Sequence, residues 1–203
     1  VIAAGGAADK AYDAFLMDYG PRFLAELKDD WRTPELGKTV IEAYANQRPV
    51  WDEIITFDDG TPGVEVPFYL LLDGDEGIIY CGRIDKVVKW RDKIMPVDHK
   101  TTSRLSKNAL QSYTPNNQMS GYIWAVMQLV PEASQSMSMI IDLIHVTKSK
   151  EPHFVPLIID RSPAMLEEWK QNVRAAALGI RINKNKAAAA ANVGVCAIKG
   201  SSC

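Results

Sequence analysis

The stretch CGRIDKVVKWRDKIMPVDHKTTS, residues 81–103, decides the predicted fold because its pattern predicts two β-strands joined by a short turn. Residues 77–90 and 93–101 are rich in apolar and β-branched residues, and Arg91-Asp92 suits a hairpin connection between them. Side chains on a strand alternate between its faces, so Asp98 and Lys100 share one face and His99 takes the other. Asp85 lies on the preceding strand, so the pattern places acids and a lysine on neighbouring strands.

The remainder of the chain alternates helix-like and strand-like segments around this hairpin. The apolar spacing predicts helices over residues 9–31, 35–47, 116–130 and 162–182, and further strands over residues 64–72, 136–147 and 153–160. Gly20-Pro21 predicts a break or kink in the first helix. We therefore expect one α/β domain over residues 1–203, with a mixed β-sheet flanked by helices and a C-terminal tail at residues 183–203.

Composition narrows the class of protein. The 203 residues are enough for one sizeable core, and no apolar run approaches the roughly 20 residues that span a bilayer. The net charge of −2 gives no overall cationic surface for nucleic acid, although acidic ligands at a centre would cancel basic residues in the sum. Three cysteines and no evident secretory signal favour a reducing compartment, so we expect a cytoplasmic protein without membrane contact.

Glu65, Asp85 and Asp98 lie on three successive predicted strands and converge if the strand registers match. Converging carboxylates repel one another unless a hard cation such as Mg²⁺ compensates them. A carboxylate-bound cation with open water positions is suited to phosphodiester hydrolysis, and a neighbouring lysine can orient the attacking water. This chemistry explains why Lys100 shares a face with Asp98.

Four short motifs occur in order along these elements: Glu65 on the first strand, GRID at 82–85, VDHKTT at 97–102 and QMSGY at 118–122. Their order and spacing resemble the RecB-type branch of the PD-(D/E)xK nuclease superfamily over roughly residues 6–182. Each motif alone is weak, and the set is more specific than its members. The resemblance implies a restriction-endonuclease-like core and the activity of a metal-dependent deoxyribonuclease.

The resemblance also implies roles for individual residues. Glu65, Asp85 and Asp98, with the His99 backbone carbonyl, would bind one or two Mg²⁺ or Mn²⁺ ions, and Lys100 would position or activate water. Gln118 and Tyr122 would hold the DNA strand or the edge of the metal site. We expect an exonuclease acting on DNA ends or single strands in recombination, repair or phage and defence processing. Partners in such a complex and a homo-oligomer are further expectations, in a bacterial or phage-infected cell.

Two departures from the family pattern bear on the cofactors. Many relatives carry a metal-binding His four residues after a Gly in the first helix, and counting from Gly6 places Lys10 there. Either that His is absent, which favours one metal, or Gly6 is not the matching glycine. Several relatives hold a [4Fe–4S] cluster, for which only Cys196 and Cys203 remain here, since Cys81 lies within a core strand. A cluster would need residues beyond both ends of this sequence.

Ordinary structural interpretations stand beside the functional ones. Asp98 and Lys100 alone are typical of an ion pair, and Gln118 and Tyr122 alone are typical of a half-buried polar pair at helical spacing. Arg104 and Lys107 suit either phosphate contacts or a solvated loop. The basic residues of the C-terminal stretch suit a solvated helix face or DNA contact: Arg174, Arg181, Lys184 and Lys186. The remaining histidines show no metal spacing.

Two other function classes remain open on the sequence. One is a non-catalytic DNA-binding module with the same fold inside a larger complex. The other is a structural α/β domain stabilised by ion pairs. Divalent-cation binding separates the structural domain from a nuclease. A cation that binds only the folded state raises the unfolding temperature, so Mn²⁺ should stabilise a nuclease and leave a structural domain unchanged.

Overall fold

The computed structural model describes residues 8–25, 33–47, 53–72, 77–107, 113, 116–148 and 150–182. Within these residues the helices are α1 (Ala8–Ala25), α2 (Pro34–Asn46), α3 (Asn117–Leu129) and α4 (Pro163–Ile182). The strands are β1 (Glu53–Ile54), β2 (Val64–Leu71), β3 (Ile79–Trp90), β4 (Lys93–Thr102), β5 (Ser138–Thr147) and β6 (Lys150–Asp160). A 3₁₀ turn, Pro131–Gln135, links α3 to β5.

The strands form one six-stranded sheet in the order β1-β3-β4-β5-β6, with β2 also paired to β3. Strands β2, β3 and β4 pair antiparallel, which confirms the predicted hairpin of β3 and β4. Strands β4 and β5 pair parallel, and β5 and β6 pair antiparallel. The sheet is therefore mixed and flanked by helices, as the sequence predicts for a restriction-endonuclease-like fold.

The β3–β4 hairpin turns at Arg91 and Asp92, which both have positive φ, at 50° and 61°. Two such residues define the tight turn whose twist matches that of the flanking strands. The turn fixes the register in which Lys86 faces Val97, where the pairing of the two strands ends. Asp85 and Asp98 come next on each strand, at the point where the strands part.

Local capping explains where three of the helices begin. Thr33 accepts a hydrogen bond from the Leu36 N–H, Asn116 accepts one from the Gln118 N–H, and Ser162 accepts one from the Met165 N–H. Each bond satisfies a backbone donor that the first helical turn leaves unpaired. The Ser162 cap agrees with the predicted start of the last helix.

Two features differ most from the sequence predictions, and the other boundaries shift by one or two residues. Helix α1 is continuous through Gly20-Pro21, so a break there is wrong and the alternative of a kink stays a prediction. A helix interior can accept proline at the cost of one backbone hydrogen bond. Its predicted extension to residue 31 lies outside the described residues. Strand β6 begins at Lys150 rather than residue 153, because an edge strand tolerates Pro152 without losing a needed donor.

The main core lies between the sheet and helices α3 and α4. Its fully buried members include Ile84, Val87, Met119, Ile123, Met139 and Ile141. Trp124 is buried in this core and Met127 packs against it, as the apolar face of the helix predicts. A Cβ atom at Gly121 would collide with the Tyr80 hydroxyl, so glycine allows α3 to approach β3 closely. This approach brings Gln118 and Tyr122 close to the point where β3 and β4 part.

Among the helices in the described ranges, none has the length and apolarity needed to cross a membrane.

Candidate active site

Asp98 and Lys100 form the centre of the candidate site on β4. The Lys100 Nζ donates to Asp98 Oδ1 at 3.1 Å and lies 2.9 Å from Oδ2. The Asp98 side chain is 2% exposed and the Lys100 side chain 32%, so the lysine reaches from a buried acid toward solvent. This contact agrees with the prediction that Asp98 and Lys100 share one face of the strand.

Asp85 reaches across the gap where β3 and β4 part. The His99 main-chain N–H donates to Asp85 Oδ2 at 2.9 Å, and His99 Nδ1 lies 3.5 Å from the same oxygen. Burial alone would raise the pKa of Asp85, but the hydrogen bonds from His99 and the Lys100 charge lower it below its ordinary value. Asp85 is therefore held as a carboxylate.

Asp98 is shifted in the opposite direction. Burial raises the pKa of Asp98 above its ordinary value and the Asp85 charge adds to the effect, against the opposing contact with Lys100. Asp98 Oδ2 is buried and accepts no hydrogen bond of good geometry, despite its closeness to the Lys100 ammonium. A buried carboxylate oxygen without a hydrogen bond is destabilising unless another group compensates it.

Glu65 is paired with Arg83 rather than with the other two acids. Its carboxylate forms an ion pair with the Arg83 guanidinium at 2.9 Å, and its side chain is 58% exposed. The main chain at Glu65 has a φ of 51°, in the left-handed region, and the β2–β3 ladder passes from Val64 directly to Val66. Such a conformation costs about 1–3 kcal/mol in a residue with a side chain. The sequence did not indicate either this strain or the pairing with Arg83.

Gln118 and Tyr122 extend the site along α3. The Gln118 side-chain amide donates to the Tyr122 hydroxyl at 3.0 Å and lies 3.5 Å from Asp98 Oδ1. The Tyr122 hydroxyl donates to the Arg83 carbonyl at 2.9 Å. The helix motif therefore connects Asp98 on β4 to the backbone of β3, across the point where the strands part.

His99 faces the opposite side of β4, toward α2. Its Nε2 lies 3.2 Å from the Tyr44 hydroxyl and 3.6 Å from Asp142 Oδ2, and Tyr44 donates to that oxygen at 2.8 Å. Neither Tyr44 nor Asp142 was singled out from the sequence. A lone acid inside the apolar strand SMIIDLIHVT, residues 138–147, was the available signal, because an acid is rarely buried without a partner.

A cavity of about 460 Å³ opens beside these residues. Helices α1 and α2 and the sheet supply its walls, which include Phe15, Tyr44, Glu65, Asp85 and His99. Lys10 is exposed on α1 and does not line the cavity, whereas its neighbour Ala11 does. The position counted from Gly6 therefore supplies no side chain to this cavity, and whether Gly6 is the matching glycine stays open.

The other predicted residues lie farther out or outside the described residues. Arg104 and Lys107 are exposed just beyond β4. Cys81 is an exposed free cysteine on β3. Arg174 and Arg181 lie on α4, and the Arg181 guanidinium donates to the Gly77 carbonyl. Lys184, Lys186, Cys196 and Cys203 lie outside the described residues.

The donor set agrees in chemistry with a hard divalent cation. Asp85 and Asp98 supply oxygen donors, and Asp98 Oδ2 is a buried oxygen that lacks a hydrogen bond. Within the described part of the chain, no group of three or more His, Cys, Asp or Glu side chains is arranged to hold a metal. Glu65 would have to leave Arg83 to become a third carboxylate ligand.

Comparison with known proteins identifies the class. A model of the PD-(D/E)XK nuclease superfamily matches residues 6–203, and the chain belongs to this superfamily. No curated protein matches the chain. One solved structure that does match, described as "Crystal structure of SSO0001", is 12% identical with a TM-score of 0.37, over 81% of this chain and 70% of that one.

Proposed function

We propose that this chain is a metal-dependent DNA nuclease of the RecB-type branch, acting as an exonuclease on DNA ends or single strands. The observation that carries the proposal is the arrangement of Asp85, Asp98 and Lys100 where β3 and β4 part. Membership of a nuclease superfamily supports hydrolysis of phosphodiester bonds. The branch, the exonuclease mode and the choice of DNA rest on the motifs and their spacing.

In this proposal Asp85 and Asp98 hold the cation, together with the His99 backbone carbonyl. A bound Mg²⁺ or Mn²⁺ would stabilise negative charge on the phosphate and favour ionisation of water. Glu65 would join as a ligand when its contact with Arg83 is released. Since Lys10 supplies no imidazole to the cavity, the carboxylates favour a site for one ion.

Lys100 is the group we assign to the attacking water. The Lys100 ammonium donates to Asp98 Oδ1 and lies 2.9 Å from Oδ2, and the lysine side chain is 32% exposed, which leaves it accessible to substrate. An ammonium there orients a water molecule and stabilises charge that develops on the phosphate. In this proposal the contact with Asp98 orients the Lys100 side chain in addition to compensating its positive charge.

The DNA strand would lie along α3 and the end of β4. Gln118 and Tyr122 border the acids, and Arg104 and Lys107 are exposed cations suited to phosphate contacts. We expect partners of a recombination, repair or defence complex and, as a further expectation, a homo-oligomer. A [4Fe–4S] cluster involving Cys196 and Cys203 and a cytoplasmic location stay predictions.

A non-catalytic DNA-binding module is the second candidate, and one observation favours it. Glu65 is paired with Arg83, and the described residues contain no group of three or more His, Cys, Asp or Glu side chains arranged to hold a metal. A module that only binds DNA does not require a third ligand. The two candidates differ in whether divalent cations support cleavage.

Digestion of end-labelled single-stranded and double-stranded DNA, with Mg²⁺, Mn²⁺ or EDTA, tests the proposal. We expect cleavage that requires metal and is absent in Asp98→Asn, with a product ladder that reports polarity. Asp92→Asn is the matched control, because Asp92 is an exposed acid at the turn of the same hairpin. DNA binding without cleavage under every condition would support the binding module instead.

A further inference from the structure

A second group of polar side chains lies behind the site, on the side of β4 opposite Lys100. Asp142 sits in the middle of β5 with no exposed surface, and the parallel register places it beside His99. The Tyr44 hydroxyl of α2 donates to Asp142 Oδ2 at 2.8 Å and lies 3.2 Å from His99 Nε2. Three elements that are distant in sequence therefore meet at one imidazole ring.

The burial of Asp142 is difficult to explain as packing alone. A fully buried carboxylate is destabilising unless hydrogen bonds compensate it, and Asp142 Oδ1 has no hydrogen-bond partner. Neighbouring positions on the strand are apolar and buried, including Ile141 and Leu143. An apolar residue would be more stable at this position if the contact only joined α2 to the sheet.

The opposite edge of the same imidazole faces the site. His99 Nε2 is directed to Asp142 and Tyr44, whereas His99 Nδ1 lies 3.5 Å from Asp85 Oδ2. The His99 main-chain N–H donates to the same Asp85 oxygen at 2.9 Å. Asp85 is thus held at one oxygen by a single residue, and the rotation of that residue's ring depends on Tyr44 and Asp142.

We propose that Tyr44, Asp142 and His99 are positioning residues that fix the orientation of the Asp85 carboxylate for divalent-cation binding. This inference rests on the proposed function. Side chains that orient a metal ligand typically change metal affinity or activity by about 10–100-fold when they are altered. Tyr44 and Asp142 act through His99 and touch neither cation nor DNA.

A purely structural role is the competing explanation. The Tyr44 ring packs edge-on against Phe154 of β6 at 5.1 Å between centroids, so Tyr44 also joins α2 to the sheet. Loss of thermal stability would follow from either role. The test therefore measures cation affinity directly, in a way that does not depend on turnover.

The experiment compares Mn²⁺ affinity, measured by electron paramagnetic resonance of free Mn²⁺, in the full chain and its variants. The variants are Tyr44→Phe, Asp142→Asn, His99→Ala and the double variant Tyr44→Phe/His99→Ala. Ser138→Ala is the matched control, because Ser138 lies on the same strand and its hydroxyl donates to the Asp160 carboxylate at 2.7 Å. Single-turnover cleavage of single-stranded DNA gives the rate of the chemical step, and steady-state cleavage gives the Michaelis constant.

Tyr44→Phe and Asp142→Asn are expected to weaken Mn²⁺ binding about tenfold and to lower the cleavage rate, with the Michaelis constant for DNA and the Ser138→Ala control unchanged. In the His99→Ala background, Tyr44→Phe should cause no further loss, because its effect passes through the ring. Since Tyr44→Phe preserves the ring and its packing, it decides the question even if Asp142→Asn does not fold.

Several results would overturn the inference. Wild-type Mn²⁺ affinity in Tyr44→Phe would do so, as would an undiminished Tyr44→Phe effect in the His99→Ala background. Directly coordinated imidazole nitrogen in the Mn²⁺ spectrum would make His99 a ligand and remove its positioning role. A wild-type chain that neither binds Mn²⁺ nor cleaves DNA would overturn the proposed function itself, and the positioning role with it.

Discussion

The two sides of strand β4 differ in what surrounds their polar side chains. On one side Asp98 meets Lys100 and Gln118 of α3, and the lysine remains partly open to solvent. On the other side His99 meets Tyr44 and the fully buried Asp142, under α2. Alternate residues of one strand thus face different surroundings, and we refer to the Lys100 side as the proposed reactive side and to the His99 side as the supporting side.

Both sides keep a buried carboxylate oxygen without a hydrogen bond, Asp98 Oδ2 and Asp142 Oδ1. They differ in exposure, because the Lys100 beside Asp98 is partly open to solvent whereas Asp142 is fully buried. On the reactive side, burial raises the pKa of Asp98. The supporting side surrounds His99 with hydrogen-bonding groups that hold the ring and, through it, Asp85. Substitutions on the reactive side should therefore change activity most, and substitutions on the supporting side should change stability more.

The largest expected effect is on cleavage by Asp98→Asn. Removal of a group that orients a metal ligand costs about 10–100-fold, so removal of a carboxylate ligand should cost more than about 100-fold in single-turnover rate. Cleavage of end-labelled single-stranded DNA measures this rate. Near-wild-type cleavage would show that Asp98 is not a ligand, and Asp92→Asn provides the matched control for loss of an acid in the same hairpin.

The pH dependence of stability should have opposite signs at the two acids. Asp98, with a raised folded-state pKa, is stabilising when protonated and loses that contribution as pH rises through this pKa. Asp98→Asn should therefore be more stable than wild type near neutral pH, and the gain should shrink toward about pH 4, near the ordinary aspartate pKa.

Asp85, with a lowered folded-state pKa, contributes stability above the ordinary aspartate pKa and loses it as pH falls through the folded-state value. Asp85→Asn should cost stability near neutral pH and cost less below about pH 4. Thermal unfolding in EDTA measures both variants. Parallel pH profiles for Asp85→Asn and Asp98→Asn would contradict the assignment of opposite environments.

Stability should separate the two sides of β4 directly. Tyr44→Phe removes a hydrogen bond to a buried carboxylate and should cost about 1.5–3 kcal/mol in the free energy of unfolding. Gln118→Ala removes a long contact to Asp98 and one bond to Tyr122, and should cost less than about 1 kcal/mol. Urea denaturation measures both, and a larger cost for Gln118→Ala would reverse the comparison.

The smallest effects are expected at the exposed cations beyond β4. For single-stranded DNA, the slope of log affinity against log salt concentration is negative, with a magnitude of about 0.7 per phosphate contact. In the proposed DNA path Arg104 and Lys107 each contact one phosphate, so Arg104→Ala and Lys107→Ala should each reduce that magnitude by about 0.7. Fluorescence anisotropy at several salt concentrations, in EDTA, measures the slope. An unchanged slope in both variants would place the DNA elsewhere.

Much of the reactive side could be predicted from the sequence because it depends on local rules. The alternation of Asp98, His99 and Lys100 on a strand and the Arg91-Asp92 turn need only neighbouring residues. The spacing of Gln118 and Tyr122 on a helix is local in the same sense. The motif order added the PD-(D/E)xK nuclease superfamily, which the match over residues 6–203 confirms, whereas the RecB-type branch stays a prediction.

The supporting side could not be predicted in this way. The contact of Tyr44 with Asp142 joins residues 98 positions apart, and it depends on the parallel pairing of β4 with β5. Glu65 illustrates the same limit, since its positive φ and its pairing with Arg83 arise from an irregular β2–β3 ladder. Strand β1 is only two residues long, too short for an alternating pattern.

The most direct test of the central claim is the single-turnover rate of Lys100→Ala on 5′-labelled single-stranded DNA in saturating Mn²⁺, beside wild type and Lys93→Ala. Lys93 is an exposed lysine at the start of the same strand. A group that assists proton transfer or charge stabilisation contributes about 10²–10⁴-fold, so we predict a loss of that size in Lys100→Ala and none in Lys93→Ala. Equal rates for Lys100→Ala and wild type would contradict the claim that Asp85, Asp98 and Lys100 form the catalytic centre.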